Sequence, residues 1–128
     1  MPDPLVLSLP WPPSVNRMYR SISKGPLAGR VLISEEGRQF RKAVDSVVRQ
    51  ARARQGWQMR LRVEIAAFPP DRRARDLDNL LKSILDSLQH SGVFESDSQI
   101  DDIRIWRGER VPGGEITVWL TPIEYAGS

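Results

Sequence analysis

The chain has no cysteine and a single histidine, His90, among its 128 residues. Disulfide frameworks and thiolate zinc sites are thereby excluded, and His90, at a helix C-terminus, reads as a cap or dipole partner. No apolar run approaches the ~18 residues of a membrane span. The start, Met1-Pro2-Asp3-Pro4-Leu5, lacks the basic-then-apolar layout of a secretory signal, so a cytoplasmic protein with no membrane partner is expected. Lysine is scarce: 16 of the 19 basic residues are arginine, whose planar fork suits phosphate oxygens.

What is present fits one compact domain, residues 1–128 with a core over about 4–122. Hydrophobic residues make up 40%, too many for a disordered chain. The net charge of +3 hides an asymmetry, since residues 1–62 carry +8 and residues 63–128 carry −5. A basic half joined to an acidic half suggests a polyanion-binding surface beside a cation pocket. An uneven scatter of solvated charges would look the same by composition alone.

Periodicity orders the elements. Leu5, Leu7 and Leu9 alternate as a first strand, which Pro10-Trp11-Pro12-Pro13 ends. A basic loop follows with Arg17, Arg20, Lys24 and Arg30. Ser34 is placed to cap a helix over 35–54, with Phe40, Val44, Val47, Val48 and Ala51 on one face and Arg38, Arg41, Lys42, Arg49 and Arg52 on the others. Leu61, Val63, Ile65 and Ala67 form a second strand. A second main helix spans roughly 78–90, and further strands surround Ile103–Ile105 and Ile116–Leu120, with Gly113-Gly114 as a hairpin turn between them. The expected fold is α/β in the α+β sense: a mixed β-sheet with two main helices packed on it.

The chemistry concentrates in Arg72-Arg73-Ala74-Arg75-Asp76-Leu77-Asp78-Asn79-Leu80-Leu81-Lys82. Fixed cations beside paired carboxylates can serve both a phosphate and a hard divalent ion such as Mg²⁺. Residues i and i+2 point the same way in an extended segment, so Asp76 and Asp78 share an ion only if residues 76–78 are extended or turned and the helix begins near Asp78. Lys82 lies one turn on, and Asp86 another. Asp97, in the loop Glu95-Ser96-Asp97-Ser98-Gln99, is the candidate third ligand, expected to fold back over the helix start. Asp101 and Asp102 enter a strand and fit less well. A competing reading makes Asp76–Asn79 an N-cap cluster and Asp78-Lys82-Asp86 a surface ion-pair ladder. Lys82 and the arginine run favour the cation site, because close carboxylates repel unless a cation compensates. An EF-hand would require further acids and a glycine in fixed positions that this chain lacks.

The chain resembles the RusA family of Holliday junction resolvases, small Mg²⁺-dependent endonucleases of prophages and bacteria. The likeness is carried by Leu9-Pro10-Trp11-Pro12-Pro13-Ser14-Val15-Asn16-Arg17 and by Pro70-Asp71 through Asn79 with Lys82 and Asp86. Gly92-Val93-Phe94 and Asp97-Ser98-Gln99-Ile100 extend it. The resemblance implies metal-binding aspartates at Asp76, Asp78 and Asp97, Lys82 as a catalytic cation, and Mg²⁺ with Mn²⁺ able to substitute. It implies a homodimer that resolves four-way DNA junctions by paired symmetric nicks, in recombination and repair, with no nucleotide cofactor. Arg72, Arg73, Arg75, Arg17, Arg20 and Asn16 are the expected DNA contacts. The family often has two adjacent acids where this chain has Ser96-Asp97. Two other functions compete: a less selective flap or fork nuclease, and a DNA-binding module whose acidic cluster is structural.

Overall fold

The computed structural model describes residues 1–73 and 75–124. Its elements run β1 (Leu5–Leu9), α1 (Val15–Met18), β2 (Tyr19–Ser21), β3 (Val31–Ile33), α2 (Glu35–Gln50), β4 (Leu61–Phe68), α3 (Leu77–His90), β5 (Ile100–Arg107) and β6 (Glu115–Pro122), with a 3₁₀ turn over Asp97–Gln99. Four strands form a mixed sheet in the order β1-β6-β4-β5, and β2 and β3 form a separate small ribbon. The α+β architecture is as expected from the sequence, with the one-turn helix α1 and the ribbon in addition.

Alternation along the strands sorts the sheet into two faces. Leu7, Leu9, Val63, Ile65, Ala67, Ile116, Val118 and Leu120 point inward and are buried. They meet Phe40, Val44 and Val48 of α2 and Leu80, Ile84 and Leu88 of α3 in one apolar cluster. The other face carries Val6, Arg62, Arg104 and Trp106, all exposed. There Trp106 and Trp119 stack with ring centroids 5.8 Å apart. Ala66, directly across from Trp106 in register, is buried although it points outward.

The strand pairing corrects one expectation. Gly113-Gly114 does not join a β5–β6 hairpin, because β5 runs parallel to β4 while β6 runs antiparallel on β4's other side. The link between them crosses the end of β4. Gly114 donates to the Val111 carbonyl at 2.8 Å in a turn whose positive φ of 75° suits glycine. A Cβ there would lie 2.8 Å from Trp11 Cβ, so the turn packs against the proline-rich loop. Two adjacent glycines announce a turn; they do not say which strands it connects.

Helix ends also moved. Ser34 caps α2 as expected, accepting from the Gly37 amide at 3.0 Å. The helix stops at Gln50 instead of 54, because Arg52 takes a left-handed φ of 54° and turns the chain to bury Ala53. Gly37 is buried, and a Cβ there would lie 2.4 Å from the Met18 carbonyl, so this glycine lets α1 approach α2. Helix α3 starts one residue earlier than expected, at Leu77, after an extended Asp76 with φ −81° and ψ 130°.

Candidate active site

The segment leaving β4 is built around Asp71. Its carboxylate accepts two bonds from the Arg75 guanidinium, at 2.6 and 3.0 Å, and one from the Arg73 backbone amide at 2.9 Å. The Arg75 fork first, and the Arg73 amide second, hold the Asp71 carboxyl well below the usual carboxylate range. Arg75 in turn lies over the Trp11 ring, 5.5 Å from its centroid, and its carbonyl accepts from Arg107 on β5. The proline-rich loop is tied to α3 where the Ser83 hydroxyl donates to the Pro13 carbonyl at 2.9 Å. Loop, arginine segment and α3 are thus locked into one wall. Sequence reasoning missed Asp71 as the clamp of Arg75 and gave Trp11 no part in it; an acid four residues before the last arginine was the available signal.

Two open clefts lie against this wall. One, of about 430 Å³, is lined by Asn16, Arg17, Arg73, Arg75, Asp76 and Asn79, among others. The other, of about 620 Å³, includes Asp71, Arg72, Arg73, Arg75, Asp76, Arg107 and Arg110. Asp76 is common to both. Five of the six residues expected to contact DNA therefore border the acidic helix start. The sixth, Arg20, is exposed on β2 and lines neither cleft. Arg17 is paired with Glu36 at 2.6 Å.

Glu35, Glu36, Asp45, Asp71, Asp86, Asp101 and Asp102 all take part in described ion pairs. Asp101 and Asp102 engage Arg60 and Arg62, which accounts for them structurally. The carboxylates of Asp76, Asp78 and Asp97 enter no described ion pair or side-chain hydrogen bond, and all three residues are exposed. Asp3, Glu95 and Glu109 likewise enter no described ion pair, so what sets Asp76 apart is its place on both arginine-lined clefts.

Asp97 is not where the sequence placed it. Its backbone amide donates to the Gln89 side chain at 3.2 Å, at the C-terminal end of α3. Eleven residues separate Asp78 from Gln89, roughly 16 Å of helix at 1.5 Å per residue, and the reach of Gln89 still leaves about 10 Å uncovered. The loop 95–99 cannot fold back over the helix start because Ser96 and Gln99 lock it in a capping box, and Gln99 also donates to the Trp57 and Met59 carbonyls. Within one chain Asp76 and Asp78 stand together and Asp97 stands apart. Among the described residues no three His, Cys, Asp or Glu side chains group closely enough to hold a metal ion.

Lys82 sits one turn after Asp78, but its ammonium is 3.5 Å from Asp86. The same Asp86 oxygen accepts from the Tyr19 hydroxyl at 2.5 Å. Burial first, and the Asp86 bond second, raise the Tyr19 hydroxyl above its ordinary value, so it stays a proton donor. Asp86 and Tyr19 thereby orient the lysine, a coupling that sequence spacing only half suggested.

An arginine-lined cleft with unpaired carboxylates at its edge defines a protein that handles phosphodiesters, of the nuclease class. Comparison with known proteins assigns it more closely. The chain belongs to the RusA family: the family described as endodeoxyribonuclease RusA matches residues 10–119. It is 43% identical over 116 residues to the crossover junction endodeoxyribonuclease rusA of Enterobacteria phage HK97, covering 91% of this chain and 92% of that one. The RusA proteins of Shigella sonnei strain Ss046 and Escherichia coli K12, of the same description, are 37% and 36% identical. Each alignment covers 90% of this chain and 92% of the relative. Among the described residues no helix is long and apolar enough to cross a membrane.

Proposed function

We propose that this chain is a crossover junction endodeoxyribonuclease, a divalent-cation-dependent enzyme that places paired symmetric nicks across a four-way DNA junction. The observation that carries this reading is near-complete alignment with enzymes of that name, together with open acids at an arginine-lined cleft. Arg72, Arg73 and Arg75 bind phosphate oxygens, with Arg75 pre-set by Asp71 and Trp11. Arg17, Arg20 and Asn16 extend the contact.

Asp76 and Asp78 offer the hard oxygen donors that Mg²⁺ or Mn²⁺ takes, and such ions keep several waters, so two carboxylates make a partial set. Asp97 completes it from the partner subunit in a homodimer. The distance along α3 supports this: one protomer carries both halves of the site at opposite helix ends, and a two-fold axis can pair unlike ends twice. A cation bound there supplies charge compensation at the phosphate and activation of the attacking water. Lys82, held by Asp86, offers its ammonium to the charge that develops on the departing oxygen. Two sites related by a two-fold axis also match the approximate symmetry of a junction, whose resolution needs two opposed cuts.

The test is cleavage of a labelled four-way junction and a linear duplex, each with Mg²⁺ or with EDTA. Symmetric nicks in the junction alone, lost in EDTA, are expected. Equal cutting of duplex would reject junction selectivity, and tight binding without cleavage would leave a DNA-binding module.

A further inference from the structure

The outward face of α2 holds a feature that the cleavage site does not use. Arg38, Arg41, Lys42, Arg49, Arg54 and His90 line a groove of about 540 Å³ between α2 and the end of α3, with Asp45 the one acid and Ile33 the one apolar residue among its walls. Five formal positive charges face one carboxylate. Asp45 is consumed by Arg49 at 2.9 Å and Arg54 at 2.5 Å, and its carboxyl is held low by the Ser91 hydroxyl and these guanidinia. Arg38 is paired with Glu35 at 2.5 Å outside the groove. Lys42 is exposed and enters no described ion pair, whereas Arg41 is engaged with the Tyr19 hydroxyl and its Nε is buried. Cationic capacity is therefore left over.

We infer that this groove is a second phosphate-backbone track, which holds a DNA strand that leaves the cleavage site. Three observations support nucleic acid over a small anion. The cations are strung out: Arg38 to Arg49 spans eleven residues, roughly 16 Å of helix. That is about the axial length of five nucleotides in a duplex strand at 3.4 Å each. No Phe, Tyr or Trp lines the groove, so it grips backbone charge more than bases. The groove also leads to the right place. Arg41 and His90 continue into an adjoining cleft with Asp86, Gln89 and Glu95, and Gln89 is the residue that holds Asp97. The track thus starts beside the Asp97 end of α3, where the proposed composite site takes its third carboxylate. The inference rests on that reading of the site only for its direction, since the groove's charge stands without it.

The experiment measures junction affinity in EDTA from 50 to 200 mM salt for the wild type, Lys42→Ala and, as a charge-matched control, Arg104→Ala on the far face of the sheet. Each phosphate contact contributes about 0.9 to the slope of log affinity against log salt. Lys42→Ala is expected to flatten the slope by about one and to weaken binding several-fold at the low-salt end, irrespective of arm sequence, with the control unchanged. Lys42→Glu should weaken it further. An unchanged slope for Lys42→Ala, or an equal change for Arg104→Ala, overturns the track. Nicking of the same junction by wild type in Mg²⁺ is scored separately. A chain that nicks normally while the Lys42→Ala slope is unchanged loses the track but keeps the proposed function. A chain that binds with the expected slope change but never nicks keeps the track and loses the function.

Discussion

The two ends of α3 show how one helix is put to two uses. At its start, Asp76 and Asp78 face solvent with no cation of their own, beside an arginine segment clamped by Asp71 and Trp11. At its end, Asp97 hangs on Gln89, and α2 contributes a cationic groove. Each end holds what the other lacks: arginine-flanked acids at one, the remaining acid at the other. Under the proposed composite site, ligands close in a family motif lie far apart in a single chain, and the missing partner is another copy.

That contrast can be broken most decisively by mixing. Asp78→Asn and Asp97→Asn should each reduce junction nicking to background while junction binding in EDTA is preserved or strengthened, since less negative charge faces the phosphates. Co-expressed as a heterodimer, the two should recover nicking on one strand only, because one of the two composite sites then has all its acids. A dead heterodimer would mean that each protomer uses its own Asp97. Next in size, Lys82→Ala should slow nicking by on the order of 10²–10³-fold with junction affinity changed little, read from single-turnover rates. Asp86→Asn should fall between this variant and wild type, because the lysine keeps its charge and loses its guide.

Smaller effects separate the clamp from the scaffold. Asp71→Asn should loosen Arg75 and weaken junction binding several-fold, with a flatter salt dependence. Because the Asp71 carboxyl sits below its ordinary range when folded, its stabilising contribution is present above about pH 4 and disappears as pH falls further. Thermal melts of wild type and Asp71→Asn should therefore converge at acid pH and separate near neutrality. Ser34→Ala removes the α2 cap and should cost about 1 kcal/mol of stability, measured by denaturant unfolding, with nicking unaltered. An activity change in that variant would tie the α2 start to the DNA surface.

Much of this was legible in one dimension. Strands β1 and β4, the Ser34 cap and the helical stripe of α3 follow from local periodicity, which needs no knowledge of the rest of the chain. Asp76 and Asp78 stood out by their i, i+2 spacing beside the arginines, and Lys82 by lying one helical turn after Asp78. The β5–β6 connection was misread because adjacent glycines mark a turn without naming the strands it joins. The groove on α2 was hidden for a related reason: Arg38, Lys42 and Arg49 look like an ordinary solvated face until the end of α3 stands opposite them.

The order of residues by itself determined the element types, the inward faces and the acid–arginine segment, since these depend on neighbours within a few positions. Only the tertiary structure decided which strand lies beside β4 and where the loop after α3 comes to rest. It also decided which acids are left unpaired by the arginines around them. Those outcomes depend on contacts between distant parts of the chain, where packing and charge pairing choose among placements that local spacing leaves equal.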